Sequence, residues 1–195
     1  MWSVTRPNSV ASGPVAPHTA VMDPVELRTP HLILRRPNGG DAPAIAEACA
    51  DPGIQRYVPV PSPYTEGDAR EFVATAVREW EADESYAFVA LAGADLVGVS
   101  QLTRKEAGLV ELGYWAAPGN RRCGYTLEAA RRVCQWGFDI LGIHRIDWWA
   151  VVGNHGSRAV AESIGFEVEG VLRQRAMLRG VPQDWWIGGL LTRPD

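Results

Sequence analysis

The residues best placed by type and spacing to do chemistry form a short run, Arg121-Arg122-Cys123-Gly124-Tyr125-Thr126, between a strand-like segment, Leu109 to Trp115, and a helical one, Thr126 to Leu141. A helix N-terminus presents unpaired N–H groups and the positive end of a dipole, so such a turn suits a phosphorylated ligand. Gly124 permits close backbone approach or a positive φ, and the two arginines add charge that pairs with phosphate. An ordinary helix start with solvated arginines reads the same way, and the turn alone does not separate the two. Other reactive types are scattered. Cys49, Cys123 and Cys134 lack metal-ligand spacing, and no metal is expected. His144 and His155 have no placed partner, and Cys123 reads as a small buried residue of the turn.

The elements that must position this turn alternate along the chain. A strand at His31 to Arg36 ends before Pro37. Asp41 caps a helix running to about Ala50, which Asp51-Pro52-Gly53 stops. A loop carrying Tyr57, Pro59, Pro61, Pro63 and Tyr64 leads to Thr65, which opens a helix with Phe72, Val73, Ala76, Val77 and Trp80 at helical spacing. Tyr86 to Leu91 and Leu96 to Leu102 form two strands turning at Gly93-Ala94-Asp95. The helix at 126–141 has two adjoining apolar stripes, a face wide enough to lie buried on a sheet. Arg145 to Val152 is β-like, Ser157 to Ile164 is a short helix stopped by Gly165, and Phe166 to Gln174 with Trp185 to Leu191 close the chain. The class is α/β (α+β) with a mixed sheet.

Bulk properties narrow the partners. A chain of 195 residues favours one domain, and its 46% apolar share is that of a globular protein without an apolar run of membrane-spanning length. The amino terminus lacks a secretory pattern and the cysteine count is odd, which together fit the cytoplasm. A net charge of −4 with both signs interspersed offers no basic face, so neither nucleic acid nor membrane is an expected partner. Residues 1–26, rich in Pro, Ser, Ala and Val with few charges, are expected to be a flexible extension, and 27–195 the domain. The alternative is an ordered arm packed on the partner subunit of a homodimer.

The run Val110-Glu-Leu-Gly-Tyr-Trp-Ala-Ala-Pro118, the turn, the long helix, Asn154-x-x-Ser157-Arg158 and Gly165-Phe166-x-x-Glu169-Gly170 together resemble the GNAT superfamily, more narrowly its RimJ/RimL branch of ribosomal-protein N-terminal acetyltransferases. The resemblance runs from His31 nearly to the C-terminus and takes in Arg56-Tyr57, Pro63-Tyr64-Thr65 and Asp184. It implies a mostly antiparallel sheet splayed between its fourth and fifth strands (109–115 and 145–152), with helices on both faces. It further implies acetyl-CoA, or another acyl-CoA, as cofactor. The backbone of Trp115, Ala116 and Ala117 would pair with the pantetheine arm. Arg121, Arg122, Cys123, Gly124, Tyr125 and Thr126 would cradle the pyrophosphate, and Asn154 would touch the cofactor. The acceptor would be an amine-bearing small molecule or a protein N-terminus.

Two departures from the family pattern matter. Arg122 stands where members often have glycine, which strains the turn by roughly 1 kcal/mol or more if that position needs a positive φ. Trp149 and Ala176 stand where relatives place a catalytic carboxylate. Glu111 is then the candidate base, acting through water, and Ser157 the candidate donor to the leaving thiolate, although Ser157 is equally suited to starting its helix. Tyr57, Tyr64, Trp149 and Trp186 are the candidate acceptor contacts, an aromatic set suited to an apolar or planar acceptor. The alternative reading is a GNAT-fold module that binds acyl-CoA or a partner with weak turnover or none.

Overall fold

A computed structural model describes residues 23–192. Eight strands form one sheet in the spatial order β1-β2-β3-β4-β5-β6-β8-β7. In chain order they are β1 Glu26–Arg28, β2 Ile33–Arg35, β3 Ser85–Ala92, β4 Asp95–Glu106, β5 Leu109–Ala116, β6 Arg145–Val151, β7 Glu167–Leu178 and β8 Val181–Leu191. The helices are α1 Ala42–Cys49, α2 Pro52–Tyr57, α3 Glu66–Glu81, α4 Tyr125–Ile140 and α5 His155–Ile164. Every neighbouring pair is antiparallel except β5 and β6, which run parallel because α4 returns the chain across the sheet.

The parallel pair is where the sheet opens. Pairing runs from Leu109 with Arg145 to Leu112 with Trp148 and then stops, although β5 continues to Ala116 and β6 to Val151. Beyond that point β5 stays on β4, and β6 stays on β8. The sheet thus has a fork at the C-terminal ends of two parallel strands, a usual place for a ligand in open sheets.

Side-chain alternation sorts the core onto both faces. Tyr86, Phe88, Leu102, Val110, Leu112, Ile146 and Trp148 are buried with Ala130, Val133 and Trp136 of α4. Val89 and Val99 turn the other way and pack on Ile45 and Cys49 of α1 and on Ala69 and Val73 of α3. Trp80, from the last turn of α3, stacks on Trp136 at 6.0 Å, with Tyr86 and Phe88 edge-on to the pair.

Local structure departs from expectation in four places. The segment after Ala50, expected as a loop, contains α2: Pro52 starts it and Asp51 caps it through Ile54 N–H at 2.9 Å. Asp41 does not cap α1 with its side chain. Its carboxylate instead takes both prongs of Arg35, each at 2.8 Å, and the Asn38 N–H. A first strand at 26–28 lies outside the sequence pattern, and Glu26, expected to belong to the extension, is its first residue. The closing hairpin is longer than the pattern suggested, reaching Leu178 and resuming at Val181. Residues 1–22, the bulk of the expected extension, lie outside the described part. Among the described residues no helix is long and apolar enough to cross a membrane.

Candidate functional site

Three features converge on the fork. The first is the backbone of β5. Ala117 N–H donates to Val97 O of β4 at 2.9 Å, and the Trp115 carbonyl lies against Gly98 so closely that a Cβ there would have no room. Main-chain groups alternate along a strand, so the amides of Tyr114 and Ala116 face the fork and that of Trp115 faces β4. Of the backbone expected to meet the pantetheine arm, Trp115, Ala116 and Ala117, only the Ala116 amide therefore faces the fork, and that of Tyr114 faces it as well.

The second feature is the start of α4. Gly124 takes φ +84° and heads the helix with no side-chain cap, leaving the first-turn amides at Tyr125 and Thr126 without a capping side chain. Arg122 holds φ +64°, the left-handed region that the sequence flagged as strained. Its side chain is exposed, and so is Cys123, contrary to its expected place as a small buried residue of the turn. Arg121 is occupied: its guanidinium is bonded to Asp51, the α2 cap. That bond, reinforced by backbone amides of α2, holds the Asp51 carboxyl below the usual carboxylate range.

The third feature ties the two prongs together. Trp148 Nε1 donates to Ser157 Oγ at 3.1 Å, Ser157 Oγ donates to Tyr114 Oη at 3.2 Å, and Tyr114 Oη donates to the Ser157 carbonyl at 2.8 Å. Burial pushes the Tyr114 hydroxyl well above its ordinary value, so it stays protonated. Asn154 Oδ1 accepts from Ser157 N–H at 3.2 Å and caps α5, so this side chain has a structural task at the place predicted for cofactor contact. Tyr114 went unnoticed in the sequence because nothing local marks a tyrosine whose partner is 43 residues away.

On the α1/α3 face lies a cavity of about 180 Å³, lined by Ile45, Cys49, Val58, Val60, Tyr64, Phe72, Val99, Gln101 and the Gly113–Trp115 segment of β5. Of the four aromatic residues expected at the acceptor, the structure puts Tyr64 in this wall. Tyr57 donates from its hydroxyl to Gly153 O at 3.3 Å, linking α2 to the turn before α5. Trp149 stands on the same sheet face as the cavity, across the fork from Gly113, with the Arg175 guanidinium 5.2 Å from its ring. Trp186 is buried on the opposite face, beside His155 and beneath Arg158. Glu111 also lies on the cavity face, two residues before Gly113, in a 3.0 Å ion pair with Lys105.

The segment 51–60 is tied at three points. Asp51 holds Arg121 and Tyr57 holds Gly153, while Arg179, at the tip of the β7–β8 hairpin, donates to Gln55 O at 2.7 Å and Val60 O at 3.1 Å. This segment closes the cavity side of the fork. Among the described residues no group of three or more His, Cys, Asp or Glu side chains is gathered to hold a metal.

Comparison with known proteins agrees with this geometry. The family model described as acetyltransferase (GNAT) domain matches residues 31–167. Probable N-acetyltransferase YjcK of Bacillus subtilis is 29% identical over 137 residues, 68% of this chain and 76% of that protein. Putative ribosomal N-acetyltransferase YdaF, from the same organism, is 36% identical over 98 residues, 50% of this chain and 51% of that protein. In three dimensions the chain is similar to RimL, a ribosomal-protein alpha-N-acetyltransferase solved with coenzyme A, at TM-score 0.78 and 19% identity over 84% of this chain and 95% of that one.

Proposed function

Because this chain belongs to the GNAT family of acetyltransferases, we propose that it moves an acetyl group from acetyl-CoA directly to a primary amine held in the same complex. The observation that carries this reading is the fork, with two unpaired amides of β5 next to an uncapped helix start. An extended acyl-pantetheine arm needs main-chain partners, and a pyrophosphate needs convergent N–H groups.

Acetyl-CoA supplies the acyl group already activated as a thioester. The chain's residues hold and polarise it: Ala116 or Tyr114 N–H bonds the carbonyl oxygen, and the amides at Tyr125 and Thr126 hold the pyrophosphate, with Arg122 exposed beside them. The amine nitrogen forms a bond to the acyl carbon as the C–S bond breaks. Glu111 accepts the amine proton through water, once Lys105 yields, and Ser157 Oγ gives hydrogen-bond support to the leaving sulfur by turning from Tyr114. Trp148 and Tyr114 keep that hydroxyl in place. Protein N-termini are the acceptor class supported by the names of YdaF and RimL.

Calorimetry with acetyl-CoA, followed by thiol release over a panel of amines and N-terminal peptides, tests this. Micromolar binding with turnover is expected. Failure to bind at millimolar concentration would overturn it, and binding without turnover on any amine would favour a non-catalytic module.

A further inference from the structure

Resting on the acyl-transfer reading above, we infer that the acceptor carries a compact apolar group, aromatic or branched aliphatic, about the size of a phenyl ring, and that the cavity on the α1/α3 face receives it. The cavity shares the Gly113–Trp115 segment of β5 with the fork, so an occupant of one lies beside an occupant of the other. Its wall contains no Asp, Glu, Lys, Arg or His. A cationic or anionic side chain placed there would lose its water with no partner in return.

The polar side chains that do reach the wall, Gln101, Tyr64 and Cys49, carry no charge. The Gln101 amide donates to Ser85 Oγ at 2.6 Å. Burial pushes the Tyr64 hydroxyl up to about 12 and the Cys49 thiol up to about 11, so both remain neutral in the physiological range. Recognition therefore falls to Ile45, Val58, Val60, Phe72 and Trp115. Size sets the other bound. An apolar cavity of roughly 150 Å³ takes up a benzene ring, and this one measures about 180 Å³. A serine or alanine side chain would leave most of it empty.

The wall is also fixed in place, since Arg179 bonds the carbonyl of Val60 from the hairpin tip. That rigidity lets the cavity discriminate by shape as well as polarity.

The test compares kcat/KM for phenylalanine, leucine, alanine, serine, glutamate and arginine amides at saturating acetyl-CoA. Phenylalanine and leucine amides are expected to exceed serine amide by about tenfold or more, with glutamate and arginine amides below it. Val60→Phe, which fills the cavity from a half-exposed loop, should cut the phenylalanine-to-alanine ratio by about tenfold, and Val60→Ala should extend acceptance to tryptophan amide. Turnover in which serine or alanine amide matches phenylalanine amide overturns the inference and leaves acyl transfer standing. If no amine turns over, acyl transfer fails and the cavity is judged by saturation-transfer NMR with phenylalanine amide. Binding that Val60→Phe abolishes supports the pocket, and absence of binding removes it.

Discussion

At Ser157 one hydroxyl has two partners, and this makes its two roles separable. Ser157→Ala removes both the proposed donor to sulfur and the acceptor for Trp148 Nε1. We expect kcat to fall by about tenfold or more with acetyl-CoA affinity little changed. The orphaned indole should cost about 1–3 kcal/mol in urea unfolding. Lost stability with wild-type kcat would reduce Ser157 to a structural residue. Glu111→Gln should likewise lower kcat; unchanged turnover would remove it as the base. Arg122 offers a backbone test: with φ at +64°, Arg122→Gly should relieve about 1 kcal/mol of strain, partly offset by the greater freedom of glycine in the unfolded chain. A lower urea midpoint for Arg122→Gly would contradict this.

Among the elements, the start of α3 is fixed by side chains that the sequence shows directly. Thr65 and Asp68 form a reciprocal capping box on α3, and Thr65→Ala should cost about 1 kcal/mol. Asp41 is more consequential. Burial pushes its carboxyl up, but the forked Arg35 bond and the Asn38 N–H outweigh that and leave it lowered. Its contribution is therefore complete above the unfolded carboxylate range, near pH 4, and is lost as pH falls through the lower folded value. Asp41→Asn should cost about 1–3 kcal/mol at neutral pH and flatten the acid limb of a stability-versus-pH curve; an unchanged acid limb would assign the acid loss elsewhere.

What could be read along the chain follows from these same elements. The Leu109–Trp115 strand, the broad apolar face of α4 and the Asn154/Ser157 corner declare themselves within one or two turns of sequence. α2 did not, because Asp51-Pro52-Gly53 signals both a helix stop and, with Pro at the first position, a helix start. β1 has three residues, too few for periodicity, and the outer half of β7 is an exposed edge without apolar alternation. The partners of Tyr114, Tyr57 and Arg179 lie 43 to 124 residues away, and only the assembled sheet brings them together.

Over the whole molecule, the segment 51–60 links the phosphate turn, the turn before α5 and the tip of the last hairpin. Arg179→Ala should loosen the cavity wall, raising acceptor KM several-fold while leaving acetyl-CoA affinity unchanged. Equal KM for variant and wild type would show that the tether does not shape the acceptor site. The aromatic cluster of Trp80, Tyr86, Phe88 and Trp136 joins α3, β3 and α4, and Trp136→Ala should cost about 3–5 kcal/mol.

The fork also gives β5 a signature in amide hydrogen exchange. In a strand held by β4 along its length, the N–H groups of Tyr114 and Ala116 point into the gap where β6 has left. In the free protein these two protons should be traded with solvent far faster than those of Leu112 and Trp115. A ligand that lies along β5 should slow both. Two amides at the centre of a rigid sheet thus serve as an occupancy gauge that needs neither an acceptor nor a turnover.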